Sequence, residues 1–114
     1  MKKIFFILNG RSKNTARIKI AIHKTFGWEY SVSVAVTNGS EDAINLSKQA
    51  VLEGTDYLIA AGGDGTMSEV VNGIMLIEKE KRENLIVGLY PLGGGNDFAR
   101  TMNLSKKLED LYQL

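Results

Sequence analysis

Short apolar runs alternate along the chain with longer segments whose apolar residues recur every three or four positions. The short runs predict buried strands at 4–8, 30–36, 57–61 and 85–90. The longer segments predict helices at 15–26, 41–53 and 67–82, followed by shorter helices that begin at Phe98 and Ser105. This alternation predicts a three-layer α/β/α fold, in which a mainly parallel sheet is covered by helices on both faces.

The order of the strands decides which loops lie together. Ligands bind to such sheets beyond the carboxyl ends of the strands, at the point where the strand order reverses. A strand order of 2-1-3-4 would place the first and third strands side by side at that point. The loop 9–13 would then face the loop 62–66, with the loop 92–97 next to them. Thr37, at the end of the second strand, would lie on the same edge.

The segment 60–69, AAGGDGTMSE, joins the third strand to the third helix. Glycine has no Cβ, so backbone N–H groups in this turn can approach a ligand closely. A helix N-terminus beside such a turn favours phosphate. The carboxylate of Asp64 would repel a bare phosphate, so its position indicates either a divalent cation between the two anions or a role in proton transfer. The turn therefore points to a nucleotide with Mg²⁺.

A purely structural explanation of the same turn is also available. Thr66 and Glu69 have the spacing of a capping box, which would start the helix without any ligand. The turn matches neither the G-x-x-x-x-G-K-[ST] phosphate loop nor the G-x-G-x-x-G pattern after a strand.

A second glycine-rich loop, GGGND at 93–97, also offers a backbone that a ligand can approach closely. Asn96 adds an amide and Asp97 a carboxylate, although a flexible loop with an Asx cap explains this loop as well. Placed on one sheet edge with Asp64, the loop favours a shared site for a polyphosphate and a metal ion.

Composition narrows the class of protein. The 114 residues suit one compact domain, and 44% hydrophobic residues can form a core. A net charge of +1 argues against an extended nucleic-acid surface. The absence of Cys excludes disulfides and thiolate metal sites and fits a cytoplasmic protein. No apolar run approaches the roughly 18 residues of a membrane helix. Trp28, which follows the predicted helix cap Gly27, is expected to pack at the sheet edge.

These motifs resemble the catalytic domain family of diacylglycerol kinases, which includes bacterial lipid kinases, sphingosine kinases and ceramide kinases. The residues that carry the resemblance are GGDGT at 62–66 with Glu69, Asn72 and Gly73, and PLGGGNDFAR at 91–100. The chain departs from the family in two places. In the family's first loop, Asn-Pro-x-Ser/Ala-Gly, only Asn9 and Ser12 match, because Gly10 and Lys13 replace the Pro and the last Gly. Gly94 stands where the family has a nucleotide-contacting Thr, which removes one hydrogen bond.

The resemblance implies the ATP-binding lobe of a lipid kinase, Rossmann-like or phosphofructokinase-like in fold, over residues 1–114. ATP and Mg²⁺ are the implied cofactors, and Asp64 and Asp97 would orient metal and phosphate, with Asp64 reaching Mg²⁺ through the bound ATP. The implied nucleotide-binding residues are Asn9, Gly10, Arg11, Ser12, Lys13, Thr37, Gly62, Gly63, Asp64, Gly65, Thr66, Met67, Ser68, Glu69, Gly93, Gly94, Gly95 and Asn96.

The resemblance also implies a second, β-rich domain that lines the cleft and supplies the catalytic base. The chain stops near the point where that domain would begin, so we expect a fragment or truncated product without the base, which binds nucleotide weakly and turns over little. The implied acceptor is a lipid hydroxyl such as that of diacylglycerol. Nucleic acid is not an expected partner, whereas peripheral membrane contact and a homodimer stay open.

Two alternatives remain at this point. NAD kinases and phosphofructokinases share a Gly-Gly-Asp-Gly loop, although the run NDFAR at 96–100 favours a lipid kinase. A domain that binds a nucleotide or a protein partner without catalysis would fit a chain that lacks the second lobe.

Overall fold

The computed structural model describes residues 1–39 and 41–90 and the backbone of Pro91 and of 112–113. Strands and helices alternate within this part of the chain, as the hydrophobic pattern predicts. In chain order the elements are β1 Lys2–Leu8, α1 Thr15–Phe26, β2 Tyr30–Val36, α2 Asp42–Leu52, β3 Tyr57–Gly62, α3 Asp64–Met75, α4 Lys79–Arg82, β4 Ile86–Pro91 and β5 Tyr112–Gln113. The predicted α/β fold is therefore confirmed.

The sheet has the order β2-β1-β3-β4-β5, which contains the predicted order 2-1-3-4. The strands β1 to β4 are parallel, and β5 pairs antiparallel with β4. Leu8 is level with Val36 on one side and with Ala61 on the other, so the carboxyl ends of β2, β1 and β3 meet at one edge.

The core consists of two layers, one on each face of the sheet. On one face, α1 packs Ile22 and Phe26 against the sheet. On the other face, α2 and α3 pack side chains such as Ile74. Neighbouring residues of β1 serve opposite layers, Phe6 the first and Ile7 the second. Because both faces are covered, β1 is apolar and buried from its third residue to its end.

The helices α2 and α3 lie side by side and touch at Gly73. A Cβ added at Gly73 would lie 2.5 Å from the carbonyl oxygen of Ile44 and 2.9 Å from Cβ of Ser47. Ser47 is itself fully buried, and its hydroxyl donates a 2.6 Å hydrogen bond to the carbonyl of Ala43. Only glycine therefore permits this distance between the two helices.

The structure contradicts the prediction of one continuous helix over 67–82. The chain there forms two helices, α3 and the single turn α4, separated by three residues. Leu76 N–H donates to the Gly73 carbonyl, and Ile77 N–H donates to the Ile74 carbonyl. These tighter i to i−3 bonds close the last turn of α3. The helical spacing of apolar residues continues across the break, which is why the pattern suggests one helix.

The structure also contradicts the alternative explanation in which Thr66 caps the helix. Gly63 occupies the N-cap position, and α3 begins one residue later, so Thr66 lies inside its first turn. The Thr66 side chain is buried. Its contacts, described below, are with the loop after β1.

Trp28 does not pack at the sheet edge, because 88% of its surface is exposed. Residues near it in sequence form an aromatic cluster in which the rings of Phe26 and Tyr30 lie 6.1 Å apart and those of Tyr30 and Tyr57 lie 5.7 Å apart. Burial in this cluster raises the pKa of the Tyr30 phenol, and the neighbouring Tyr57 acts in the same direction.

Both of the predicted short helices fall near the end of the chain. The helix expected from Phe98 lies outside the described residues. The helix expected from Ser105 is contradicted at Tyr112–Gln113, which form β5. Within the described part of the chain, no helix has the length and hydropathy needed to cross a membrane.

The contact at Gly73 predicts the outcome of Gly73→Ala. The added methyl group has to push α2 and α3 apart, and overpacking of this kind costs about 1–3 kcal/mol of unfolding free energy. A gain of helix propensity of up to about 1 kcal/mol offsets part of this cost. We expect a net loss of stability in urea denaturation.

The matched control for this substitution is Gly65→Ala in the same helix. A Cβ at Gly65 meets nothing within 4 Å, so the control should unfold at the wild-type urea concentration or higher. If both variants were as stable as the wild type, the close contact between α2 and α3 would be ruled out.

Candidate functional site

The candidate site lies where the strand order reverses, between the adjacent strands β1 and β3. The chain leaves β1 toward the face covered by α1, and it leaves β3 toward the face covered by α3. The two exits diverge, and a crevice opens between the loop 9–14 and the turn at 62–65. The position agrees with the sequence-based expectation for a parallel sheet.

Asn9 connects the two sides of this crevice. Its backbone N–H donates to the carbonyl of Ala61 at 2.9 Å, which extends the pairing of β1 with β3 by one residue. Its side-chain Nδ2 donates to Oγ1 of Thr66 at 3.3 Å, and its Oδ1 accepts from the N–H of Arg11 at 2.9 Å. One side chain thus fixes the start of α3 relative to the loop after β1.

Thr37 holds the same loop from the side of β2. Its N–H donates to the Leu8 carbonyl at 2.9 Å, and its hydroxyl accepts the N–H of Gly10 at 2.9 Å. A Cβ at Gly10 would collide with the Thr37 carbonyl oxygen. Gly10, which replaces the family's Pro, is therefore required for two reasons. It has no Cβ, and it supplies an N–H that Pro lacks.

The glycines of the turn after β3 have different roles. A Cβ at Gly62 would lie 2.6 Å from Oγ1 of Thr66 and 3.1 Å from Cβ of Asn9, so Gly62 is needed for packing beneath the site. Gly62 is buried, whereas Gly63 and Gly65 are exposed, and a Cβ at either would meet nothing within 4 Å. Gly63 and Gly65 thus leave the first turn of α3 open toward solvent.

A cleft of about 590 Å³ occupies the crevice. Seven of the residues predicted from the sequence line it: Asn9, Gly10, Arg11, Thr37, Gly65, Thr66 and Glu69. Asn38 and Gly39, which were not among the predicted residues, line it as well. The sequence could have indicated both residues, because an Asn-Gly pair marks a turn at the end of the second strand.

The other predicted residues in the part of the chain that the structure describes do not line this cleft. Ser12 and Lys13 lie farther along the loop after β1, and Met67 is half-buried against the core layer of α2 and α3. Gly62, Gly63, Asp64 and Ser68 belong to the turn and first helical residues beside the cleft. Gly93, Gly94, Gly95, Asn96 and Asp97 lie outside the described residues.

Asp64 is the exposed acidic residue in the first turn of α3. No described residue forms a hydrogen bond or an ion pair with its carboxylate, and the described residues contain no group of three His, Asp or Glu side chains that could hold a metal ion. Mg²⁺ in phosphate-binding sites commonly uses one or two carboxylates together with phosphate oxygens and water. Asp64 therefore fits a cation that arrives with a phosphate ligand, not a preformed metal site.

Comparison with known proteins agrees with the resemblance found in the sequence. The diacylglycerol kinase catalytic domain family matches residues 3–114. A protein from Chromohalobacter salexigens described as "probable lipid kinase YegS-like" is 35% identical over 103 residues, which cover 90% of this chain and 32% of that protein. A protein of the same description from an Enterobacter species is 35% identical over 108 residues, covering 95% of this chain and 36% of that protein.

The fold is also similar to a solved structure. A diacylglycerol kinase from Bacillus anthracis superimposes with a TM-score of 0.72 and 18% identity, over 93% of this chain and 44% of that one. The chain spans about one third of the length of the two sequence relatives. Because the family pattern extends over nearly all 114 residues, the chain belongs to the diacylglycerol kinase catalytic domain family.

Proposed function

We propose that residues 1–114 are the nucleotide-binding lobe of a lipid kinase and that ATP binds across the cleft between β1 and β3. The observation that supports this most strongly is the hydrogen bond from Asn9 to Thr66, which joins the two predicted nucleotide loops into one site. A cleft of about 590 Å³ is within the usual range for sites that bind small molecules and cofactors.

The triphosphate would lie against the first turn of α3. The N–H groups of a first helical turn have no partner within the helix, and they carry the positive end of the helix dipole. Gly63 and Gly65 leave this turn uncovered, so phosphate oxygens can approach the backbone. Arg11 lines the cleft from the opposite loop and offers a second positive group. In this proposal the loop 93–97 contributes further contacts.

Mg²⁺ would reach the site with ATP and would neutralise the charge of the β- and γ-phosphates. Asp64 would hold the cation from the protein side and so orient the triphosphate. Without a cation, the same carboxylate would repel ATP. The proposal therefore makes ATP binding depend on Mg²⁺.

In the reaction we propose, the hydroxyl oxygen of a lipid such as diacylglycerol forms a bond to the γ-phosphorus of ATP. The bond from that phosphorus to the β–γ bridging oxygen breaks, ADP leaves, and the hydroxyl proton passes to a base. We assign this base to no residue of the chain. The sequence relatives are about three times longer than the chain, so the proposal for these 114 residues covers nucleotide binding, and the acceptor side lies beyond it.

The acceptor is tested by phosphate transfer. The gene product that contains this lobe is incubated with γ-labelled ATP and, separately, with diacylglycerol, sphingosine and NAD. Label on a lipid alcohol supports the proposal, and label on NAD alone would replace it with an NAD-kinase-like function. Binding of ATP without transfer to any acceptor would favour a non-catalytic nucleotide-binding domain.

Asp64→Asn should weaken the Mg²⁺-dependent binding of ATP by about tenfold, because one interaction between a carboxylate and a cation is worth on the order of 1–2 kcal/mol in a solvent-exposed site. Calorimetric titration of ATP with Mg²⁺ and with EDTA measures the effect. In EDTA the variant should bind at least as well as the wild type, since a negative charge has been removed.

The control for this measurement is Glu80→Gln, which removes an exposed carboxylate from α4 without touching the cleft. Its affinity for ATP with Mg²⁺ should equal that of the wild type. Unchanged Mg²⁺-dependent binding in Asp64→Asn would contradict the role proposed for Asp64.

Thr37→Val should lower ATP affinity about threefold to tenfold. Val has nearly the same shape but cannot accept the hydrogen bond from Gly10 N–H, and a lost hydrogen bond of this kind is worth about 0.5–1.5 kcal/mol. Thr37→Ser keeps the hydroxyl and should bind ATP almost as well as the wild type.

The matched control is Thr55→Val, which makes the same chemical change just before β3, at the opposite edge of the sheet. It should leave ATP affinity unchanged. Equal affinity in Thr37→Val and in the wild type would show that the Gly10 contact does not support the nucleotide site.

A further inference from the structure

The dipeptide Asn-Gly occurs three times in the chain, at 9–10, 38–39 and 72–73. In this dipeptide the main chain can attack the Asn side chain with little hindrance, because the following Gly has no Cβ. The attack needs a free Gly N–H, a side-chain amide that can turn toward it, and a backbone that can change its shape. The structure meets these conditions to different degrees at the three positions.

The fold holds the first dipeptide in place. The Asn9 side chain forms hydrogen bonds at both ends of its amide, to the Thr66 hydroxyl at 3.3 Å and from the Arg11 N–H at 2.9 Å. The N–H of Gly10 donates to the Thr37 hydroxyl at 2.9 Å. The nitrogen of Gly10 and the amide of Asn9 are therefore both engaged with other partners.

The third dipeptide lies inside α3. Within an α-helix the N–H of a residue donates to the carbonyl four residues earlier, so the Gly73 nitrogen is held by the helix. Gly73 is also buried against Ile44 and Ser47 of α2. Asn72 would meet the conditions only if this part of the helix unfolded.

The second dipeptide is free of such contacts. Asn38 and Gly39 are both exposed, in the irregular segment between β2 and α2. Within residues 1–39 and 41–90, no group forms a hydrogen bond with the Asn38 side-chain amide or with the Gly39 N–H. The backbone N–H of Asn38 donates to Oδ2 of Asp42 at 2.5 Å, which leaves the side chain able to turn. A Cβ at Gly39 would meet nothing within 4 Å, so the main chain there has room to change its shape.

We propose that Asn38 is a site of spontaneous modification, at which the side-chain amide is replaced by a carboxylate. The Gly39 backbone nitrogen loses its proton and forms a bond to Cγ of Asn38, the bond from Cγ to Nδ2 breaks, and ammonia leaves. Water then adds to one of the two carbonyl carbons of the five-membered imide, and the bond from that carbon to the nitrogen breaks. One opening gives Asp and the other gives isoaspartate, so the chain gains one water and loses one ammonia.

The product changes the cleft, because Asn38 and Gly39 both line it. Either form adds a negative charge to a cleft that we propose to bind a triphosphate. The isoaspartate form also lengthens the main chain by one atom between positions 38 and 39. The effect on ATP rests on the proposed function, whereas the modification itself does not.

Peptide mapping by mass spectrometry tests the modification. The 114-residue protein is incubated in warm, mildly alkaline buffer and cleaved after Lys and Arg, which places the three dipeptides in different peptides. We expect the peptide 25–48 to give two products modified at Asn38. Conversion at 9–10 and 72–73 should be at least about tenfold slower, because those sites react only through local opening of the fold. Conversion at Asn38 should accelerate with pH, since the Gly39 nitrogen has to lose its proton.

The unfolded chain is the matched control. In concentrated urea the three dipeptides lose the contacts described above, so they should react at similar rates. Two results would overturn the proposal. One is equal rates at the three dipeptides of the folded protein, and the other is no reaction at Asn38 under conditions in which the unfolded chain reacts.

Substitutions measure the consequence for nucleotide binding. Asn38→Asp should lower the affinity for ATP with Mg²⁺ about fivefold, because its carboxylate repels the triphosphate. Asn84→Asp makes the same change in the exposed turn before β4, at the opposite edge of the sheet, and should leave the affinity unchanged. Asn38→Gln has a longer side chain that closes to an imide far more slowly. Its affinity should therefore stay constant during an incubation in which that of the wild type falls.

The two parts of the experiment fail separately. If the freshly purified wild type does not bind ATP, the proposed function is wrong, and peptide mapping still decides whether Asn38 is modified. If the wild type binds ATP and Asn38→Asp binds it equally tightly, the new carboxylate does not act on the nucleotide, and that part of the proposal is overturned.

Discussion

The structure depends on one constraint, the right-handed connection between parallel strands. The connection from β1 to β2 runs toward one edge of the sheet, whereas the connection from β2 to β3 runs in the opposite direction. Right-handed connections in opposite directions must use opposite faces of the sheet, so α1 covers one face and α2 and α3 cover the other. The chain consequently leaves the carboxyl ends of β1 and β3 in different directions. The cleft between them is a result of this topology, before any side chain is considered.

Side chains then turn the crevice into a defined site. Asn9 connects the loop after β1 to Thr66 in α3, and Thr37 connects the same loop to the end of β2. These side chains are all neutral, so the charged side chains of the region, those of Arg11, Asp64 and Glu69, take no part in these bonds. The packing beneath the cleft is tight at Gly10 and Gly62, while Gly63 and Gly65 stay open. Glycine thus serves close packing in some positions of this site and access to the backbone in others.

The departure from the family's first loop has a physical explanation in this chain. A residue with a Cβ at position 10 would collide with the Thr37 carbonyl, and Pro there could not donate to the Thr37 hydroxyl. The loop is therefore held by a hydrogen bond across to β2 instead of by the rigidity of a Pro ring.

The sequence by itself determined the strands and the first two helices, because burial on both faces makes β1 and β3 continuously apolar and leaves the alternation of Ser and Val in β2. It also offered the strand order 2-1-3-4, which the structure confirmed. It also located the edge of the sheet where the site lies, and it led to the family. Only the tertiary structure decided which glycines pack and which stay open, that Thr66 faces Asn9 instead of capping α3, and that Trp28 is exposed. These features depend on distances between segments far apart in the chain. Local spacing carries no information about such distances, so the same Gly, Thr or Trp can be buried or exposed according to what the rest of the fold places beside it.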